Sequence, residues 1–202
     1  MLTIYHLETS RSARIIWLAE ELKLKYKIEI FKRTPERQAP PAYKALHPLG
    51  RAPIIRDGDL TLTESGAIIE YLLGRYGKGK LVPKEKSAEY PQYLEWLHFA
   101  EGTLMPHFLG VYFMDLAGAK EHPMRRSMLE NFAKDLAYVE AALGKHPFLA
   151  GETFTAADII MAYALMAAGR FSEEGLPPRP HTDAYMKKLA ERPAYKKAQT
   201  FG

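Results

Sequence analysis

The hydrophobic pattern of this 202-residue chain changes its period once, at Gly77-Lys-Gly-Lys-Leu-Val-Pro-Lys84, and that change limits the fold more than any other feature. Upstream, short runs of β-formers alternate with helix-spaced apolar residues; downstream, strand signals vanish. Alternation requires a sheet with helices on its faces, whereas a strandless stretch can bury its apolar stripes only helix against helix. A segment rich in glycine, proline and lysine is also where few contacts cross between folding units. The expectation is an α/β domain over residues 1–80, a linker over 81–87 and an all-helical domain over 88–202.

Leu2 to Leu7 reads as a strand, followed by the polar turn Glu8-Thr9-Ser10-Arg11-Ser12. Ile15, Leu18, Ala19 and Leu22 recur at helical spacing, which predicts a helix from about Ser12 to Leu24 with Thr9 or Ser10 placed to cap it. Tyr26 to Phe31 returns to strand, so this strand–helix–strand unit is expected to form a parallel pair with a right-handed crossover. A proline-rich loop from Arg33 to Pro41 leads to a short helix over 43–46. Asp57-Gly58 then joins two short strands as a hairpin, and a helix opens at Glu64-Ser65 and runs to Tyr76.

In the second half, Ala88 to about Leu116 reads as one long helix bent near Pro106. Met128, Phe132, Leu136, Val139 and Leu143 trace one buried stripe, ended by a C-cap at Gly144. Ile159, Tyr163 and Met166 mark another helix, and Tyr185 to Glu191 a short last one. Thr155-Ala-Ala-Asp158 has the form of a capping box with Asp in place of Glu, Thr155 capping while Asp158 reaches back and Phe154 staples the turn. A catalytic carboxylate is the rival reading of Asp158, but the cap explains the spacing without chemistry.

Composition removes whole classes of function. The chain has no cysteine, so disulfides, thiolate metal sites, dithiol redox motifs and a cysteine nucleophile are excluded. Any thiol chemistry must use the substrate's thiol. His47, His98 and His107 lack metal-ligand spacing, and no metal is assigned. The formal charge of +4 comes from basic residues spread along the chain, with no zinc finger or aromatic RNA-binding signature, which argues against nucleic acid. No apolar run reaches the length of a membrane span and no signal pattern opens the chain, so a cytoplasmic protein is expected.

The stretch from His47 to Tyr71 carries the candidate site. Arg51-Ala52-Pro53 sets a backbone-exposing turn at the start of a strand, and Thr63-Glu64-Ser65-Gly66 sets a hydroxyl and free N–H groups at a helix start, where an anion is welcome. Together they suit a small zwitterionic ligand. Each has a plainer reading: Pro53 as a strand start, Arg51 as a solvent-facing side chain, Ser65 as a helix cap.

The order of elements, with HPLGRAP, the TESGAIIEYL helix start and the late TAADI cap, resembles the soluble glutathione S-transferases over the whole chain. SRSARIIWLAEEL and KRTPERQAPPAYKALHPLGRAP resemble a bacterial and fungal branch of that family, with serine-type features. The resemblance implies a thioredoxin-like first domain, an α-helical second one, a homodimer, and glutathione as cosubstrate with no other cofactor. It implies a detoxifying transferase that stabilises the glutathione thiolate for attack on a small hydrophobic electrophile.

Carried onto this sequence, the resemblance makes Pro53 cis and pairs the Ala52 backbone with the cysteinyl part of glutathione, with Arg51 near the glycyl end. Glu64 and Ser65 take the γ-glutamyl end. For activating the thiol it points to Ser10, four residues before Arg14, with Thr9 and Tyr5 as the other candidates and a helix cap as the plainer role of Ser10. Glu101 is placed to reach the γ-glutamyl amine across a dimer, or to be an exposed helix carboxylate. Phe108 and Tyr112 are candidates for the electrophile pocket, with core packing as their alternative. A glutathione-dependent peroxidase or disulfide reductase on the same site, and a non-enzymatic binding module, are the rival functions.

Overall fold

The computed structural model describes residues 1–169 and 176–202. They form two compact units, Met1–Val82 with Ala190–Gly202, and Pro83–Leu189.

The first unit is built on β1 (Leu2–Leu7), α1 (Ser12–Glu21), β2 (Tyr26–Phe31), α2 (Pro41–Lys44), β3 (Ile54–Asp57), β4 (Leu60–Thr63) and α3 (Ser65–Tyr76). The sheet runs β2-β1-β3-β4, with β1 parallel to β2 and the β3–β4 hairpin antiparallel to β1. Side chains alternate across β1. Tyr5 and Leu7 enter a cluster with Tyr43 of α2 and Ile54, while His6 turns the other way to bond Ser12 of α1. Ile4, Ile15, Ile16, Leu18, Ile55, Ile68, Ile69 and Leu72 are fully buried, and these are the apolar positions that set the strand and helix periods.

One element of this unit escapes sequence reading. α9 (Pro193–Gln199) packs on α1, with the Tyr195 ring edge-on to Trp17 at 4.9 Å and Arg192 making two bonds to Glu21 at 2.6 and 2.9 Å. Residues 190–202 therefore cluster with the sheet, where the sequence pattern had grouped them with the helical half.

At the far end of β3, Asp57 is nearly enclosed. It accepts from Tyr71 at 2.9 Å and from Tyr76, with Arg75 at 3.5 Å. The Tyr76 hydroxyl, above all, holds the Asp57 carboxyl below its usual range, helped by Tyr71 and Arg75 and opposed by burial. An unfolded Asp titrates near pH 3.9, so this contribution is complete above about pH 4 and is lost as the pH falls toward the lower folded value. Urea unfolding of Asp57→Asn between pH 6 and 2.5 should show a shallower loss of stability below pH 4 than the parent. Equal slopes would remove Asp57 from the acid response.

The second unit is helical: α4 (Glu89–Phe99), α5 (Met105–Leu116), α6 (Pro123–Leu143), α7 (Ala156–Gly169) and α8 (Pro180–Ala190). The expected single helix over 88–116 is divided by a π-helical turn at Ala100–Leu104, in which the Met105 N–H reaches the Ala100 carbonyl. The reason is Pro106. Its ring has no N–H and would strike the carbonyl four residues back, and the wider turn provides room. α6 ends before Gly144 as expected, although Gly144 stays right-handed at φ −71°.

Asp158 is fully buried at the start of α7 and accepts from Thr155 N–H at 2.7 Å, Thr155 O–H at 3.1 Å, Leu149 N–H at 3.1 Å and Tyr185 O–H at 2.8 Å. The reach-back of the capping box is present. The Thr155 hydroxyl donates to the same Asp158 oxygen that accepts from the Thr155 N–H, a charge-assisted bond inside the box. Phe154 packs edge-on against Phe148 at 5.7 Å.

Candidate functional site

Three segments of the first unit meet at one end of the sheet. Tyr5 pairs with Ile54, so in antiparallel register the turn after Leu7 runs beside Ala52-Pro53. Ile54 pairs with Thr63, whose hydroxyl donates to the Pro53 carbonyl at 2.9 Å, which sets Glu64-Ser65 beside the same turn.

The Ala52–Pro53 peptide is cis. Ala52 lies outside the β3 ladder, and its amide and carbonyl meet no hydrogen-bonding partner among the described residues. Arg51, just before it, is exposed and makes no ion pair among the described residues.

Glu64 has φ 73° and ψ 123°, a backbone conformation that side chains other than glycine rarely adopt and that is found where structure serves a site. Its carboxylate side is exposed, and its carbonyl accepts from Ile68 N–H to open α3. Ser65 is therefore inside the helix, not its cap. Ser65 is 3% exposed, and its buried hydroxyl has no hydrogen-bonding partner. A buried hydroxyl left unpaired is costly. A helix N-terminus is a place where its N–H groups and dipole favour an anion.

The β1–α1 turn supplies the hydroxyls. Thr9 is exposed with φ 48°, and Ser10 is 5% exposed. Ser10 Oγ accepts from Ser12 N–H at 3.2 Å, a cap-like bond, and lies 2.7 Å from Ser12 Oγ. Ser12 Oγ is 2.8 Å from His6 Nδ1, and His6 Nε2 is 2.6 Å from the main-chain oxygen of Gly202. Burial pushes the His6 imidazole below its usual 6.5, while the main chain of Gly202 and Phe201 and the Glu8 carboxylate pull it up. Tyr5 is not part of this cluster; its ring is on the opposite face of β1, near Phe31 and under Arg56.

Sequence reasoning missed two supports. Arg33 braces the turn, donating to the carbonyls of Glu8 at 2.9 Å and Thr9 at 3.4 Å. His6 was hidden because its partners lie 6 and 196 residues away, beyond any local pattern.

In the second unit, Glu101 lies in the π-helical turn and is half-buried. Phe108 stacks on Tyr112 at 6.1 Å and packs on Phe132 at 5.9 Å, while Tyr112 is 38% exposed and presents an apolar ring at the surface. His107 bonds Asp135 at 2.6 Å, which ties α5 to α6. Among the described residues no group of three or more His, Cys, Asp or Glu side chains is placed to hold a metal ion, and no helix is long and apolar enough to cross a membrane.

Residues 1–74 match the family model described as "Glutathione S-transferase, N-terminal domain", and residues 81–193 the one described as "Glutathione S-transferase, C-terminal domain". The chain is 35% identical to Glutathione S-transferase 3 of Schizosaccharomyces pombe, over 96% of this chain and 85% of that protein. Among solved structures it resembles a glutathione S-transferase from Actinobacillus pleuropneumoniae, with a TM-score of 0.89 at 30% identity over 99% of this chain and 92% of that one. It also resembles the theta class glutathione S-transferase from Xanthomonas axonopodis pv. citri with glutathione bound, with a TM-score of 0.77 at 29% identity over 98% and 96%.

Proposed function

Since the chain belongs to the glutathione S-transferase family, we propose that it is a glutathione transferase whose first unit binds glutathione along Ala52-Pro53 and Glu64-Ser65. The observation that carries this reading is the Ser65 hydroxyl, buried and unpaired at the N-terminus of α3. It would donate to the α-carboxylate of the γ-glutamyl end, with the first N–H groups of α3 beside it and the Glu64 carboxylate meeting the ammonium. The free amide and carbonyl of Ala52 suit the cysteinyl main chain, which would add to the sheet edge as a short strand does. Arg51 is assigned to the glycyl carboxylate.

A free thiol titrates near 8.5, and lowering that by about 2 units takes roughly 2.7 kcal/mol of preference for the thiolate. One hydroxyl donating to sulfur, plus the start of α1, is of that size. We assign the donor to Ser10 in the turn, with Thr9 next to it. Rate then comes from thiolate stabilisation and from holding the electrophile close. A small hydrophobic electrophile received by Phe108 and Tyr112, a homodimer with Glu101 reaching the γ-glutamyl amine, and a cytoplasmic detoxifying role are parts of the same proposal.

The protein should be retained on immobilised glutathione and released by free glutathione. In assays with glutathione it should turn over a chloronitroarene faster than an organic hydroperoxide or a mixed disulfide. Passage through the resin would overturn the ligand, and hydroperoxide or disulfide turnover alone would reassign the reaction.

A further inference from the structure

The hydroxyls of the β1–α1 turn form a chain whose protons can be counted. His6 Nε2 faces the Gly202 main-chain oxygen at 2.6 Å, and that oxygen can only accept, so Nε2 carries a proton. His6 is buried, and burial pushes its imidazole toward the neutral form, which carries a lone pair on Nδ1. Ser12 Oγ has two acceptors in reach, Nδ1 at 2.8 Å and the Leu7 carbonyl at 3.4 Å, and its one proton goes to the nearer, Nδ1. Ser12 Oγ also accepts from Leu7 N–H at 3.2 Å, and the 2.7 Å contact with Ser10 must then be bridged by the proton of Ser10. Ser10 Oγ accepts from Ser12 N–H at 3.2 Å. The resting Ser10 hydroxyl thus points its proton inward and turns a lone pair outward. In that state it accepts from a thiol; it does not donate to a thiolate.

Reversing the chain makes Ser10 a donor. We propose that His6, acting through the hydroxyls of Ser12 and Ser10, takes up the thiol proton of bound glutathione and by doing so turns the Ser10 hydroxyl toward the sulfur. The inference rests on the reading of this end of the sheet as the glutathione site. In the step, the S–H bond breaks with its electron pair left on sulfur. The proton passes to Ser10 Oγ, the proton of Ser10 to Ser12 Oγ, and that of Ser12 to His6 Nδ1. A thiolate and an imidazolium result, with no change in net charge.

In the reversed state Nδ1–H donates to Ser12 Oγ, Ser12 O–H to Ser10 Oγ and Ser10 O–H to the sulfur, while Nε2–H still donates to Gly202. No polar contact is lost. After the product leaves, the imidazolium proton returns to solvent along the same hydroxyls. Among the described residues, the groups acting on the His6 ring are Ser12 at the start of α1, the Glu8 carboxylate in the turn, and the Gly202 and Phe201 main chain after α9. Glu8 is the one charged side chain in this set, and its sign favours the imidazolium. His6 acts through two hydroxyls, so it is a positioning residue.

The test is the apparent pKa of bound glutathione, read from thiolate ultraviolet absorbance and from the pH profile of kcat/KM with a chloronitroarene. Parent, Ser10→Ala, Ser12→Ala, His6→Asn and the Ser10→Ala/Ser12→Ala double variant are compared, each checked for folding by circular dichroism and for glutathione binding by calorimetry. The Asn amide accepts from Ser12 but cannot take up a proton. Ser12→Ala and His6→Asn should bind glutathione as the parent does, yet raise the apparent pKa by about 1 unit or more, a tenfold loss of thiolate at pH values below both. The double variant should match Ser10→Ala alone, since the three groups act as one. If His6→Asn does not fold, Ser12→Ala decides. A parental pKa in Ser12→Ala, or additive losses in the double variant, would overturn the relay. Failure of the parent itself to bind glutathione is a separate result; it would overturn the ligand assignment and the relay with it.

Discussion

Ser65→Ala is expected to make the ligand-free protein more stable and its hold on glutathione weaker. The two effects share one cause. The Ser65 hydroxyl is buried without a partner, and such a group costs about 1–3 kcal/mol. Removing it relieves that cost, less a small loss for the vacated volume, for a net gain of about 1 kcal/mol. In a chain of this size that is a rise of about 2–4 °C in Tm. Bound glutathione would give the same hydroxyl a carboxylate to donate to, a hydrogen bond worth about 1.5–3 kcal/mol, so Kd should rise about 10- to 150-fold. Thermal unfolding without ligand and calorimetry with glutathione measure the two separately. A plain helix cap would behave in the opposite way, losing stability and leaving affinity alone. That outcome would return Ser65 to the scaffold.

Asp158→Ala should have the largest effect on stability. Four donors converge on this carboxylate, two of them buried main-chain N–H groups, from Leu149 and Thr155. Burial pushes its carboxyl up, while the Thr155 and Leu149 amides and the Tyr185 and Thr155 hydroxyls pull it down. Truncation leaves all four donors without this acceptor at a fully buried site. The expected loss is about 3–5 kcal/mol, a large part of the 5–15 kcal/mol that holds a typical protein together. Tyr185→Phe removes one donor and should cost about 1 kcal/mol. Urea unfolding of both variants measures the ratio. A loss below 1 kcal/mol for Asp158→Ala would mean that the α7 start is held by packing instead. Loss of turnover at full stability would restore the catalytic reading of Asp158.

Much of the first unit was legible because its signals are local. The strand periods, the Asp57-Gly58 hairpin and the start of α3 each lie within a few residues, and the structure has them at those positions. Ala52-Pro53 and Glu64-Ser65 were legible for the same reason. The state of Ser65 was not: whether a serine at a helix start caps or stands unpaired depends on where the preceding residue's backbone turns. Here Glu64 takes φ 73° and its carbonyl begins the helix. The direction of the Thr155 hydroxyl and the division of the 88–116 helix were likewise decided by neighbours, a carboxylate in one case and a proline ring in the other.

Ser10 shows the limit most clearly. From sequence it is a hydroxyl at a strand–helix turn, suited equally to capping a helix or to meeting a thiol. Its proton is directed by Ser12, Ser12 by His6, and His6 by a main-chain oxygen 196 residues further along the chain. α9 was missed for a related reason, since seven residues carry too short a pattern to announce a partner, and its place was set by Trp17 and Glu21. The sequence by itself determined most of the order of elements, because that follows from periodicity, and its motifs carried the resemblance to the family. Only the tertiary structure decided which hydroxyls are paired and which way their protons point, because a hydrogen bond is directional and its partner can come from any distance along the chain.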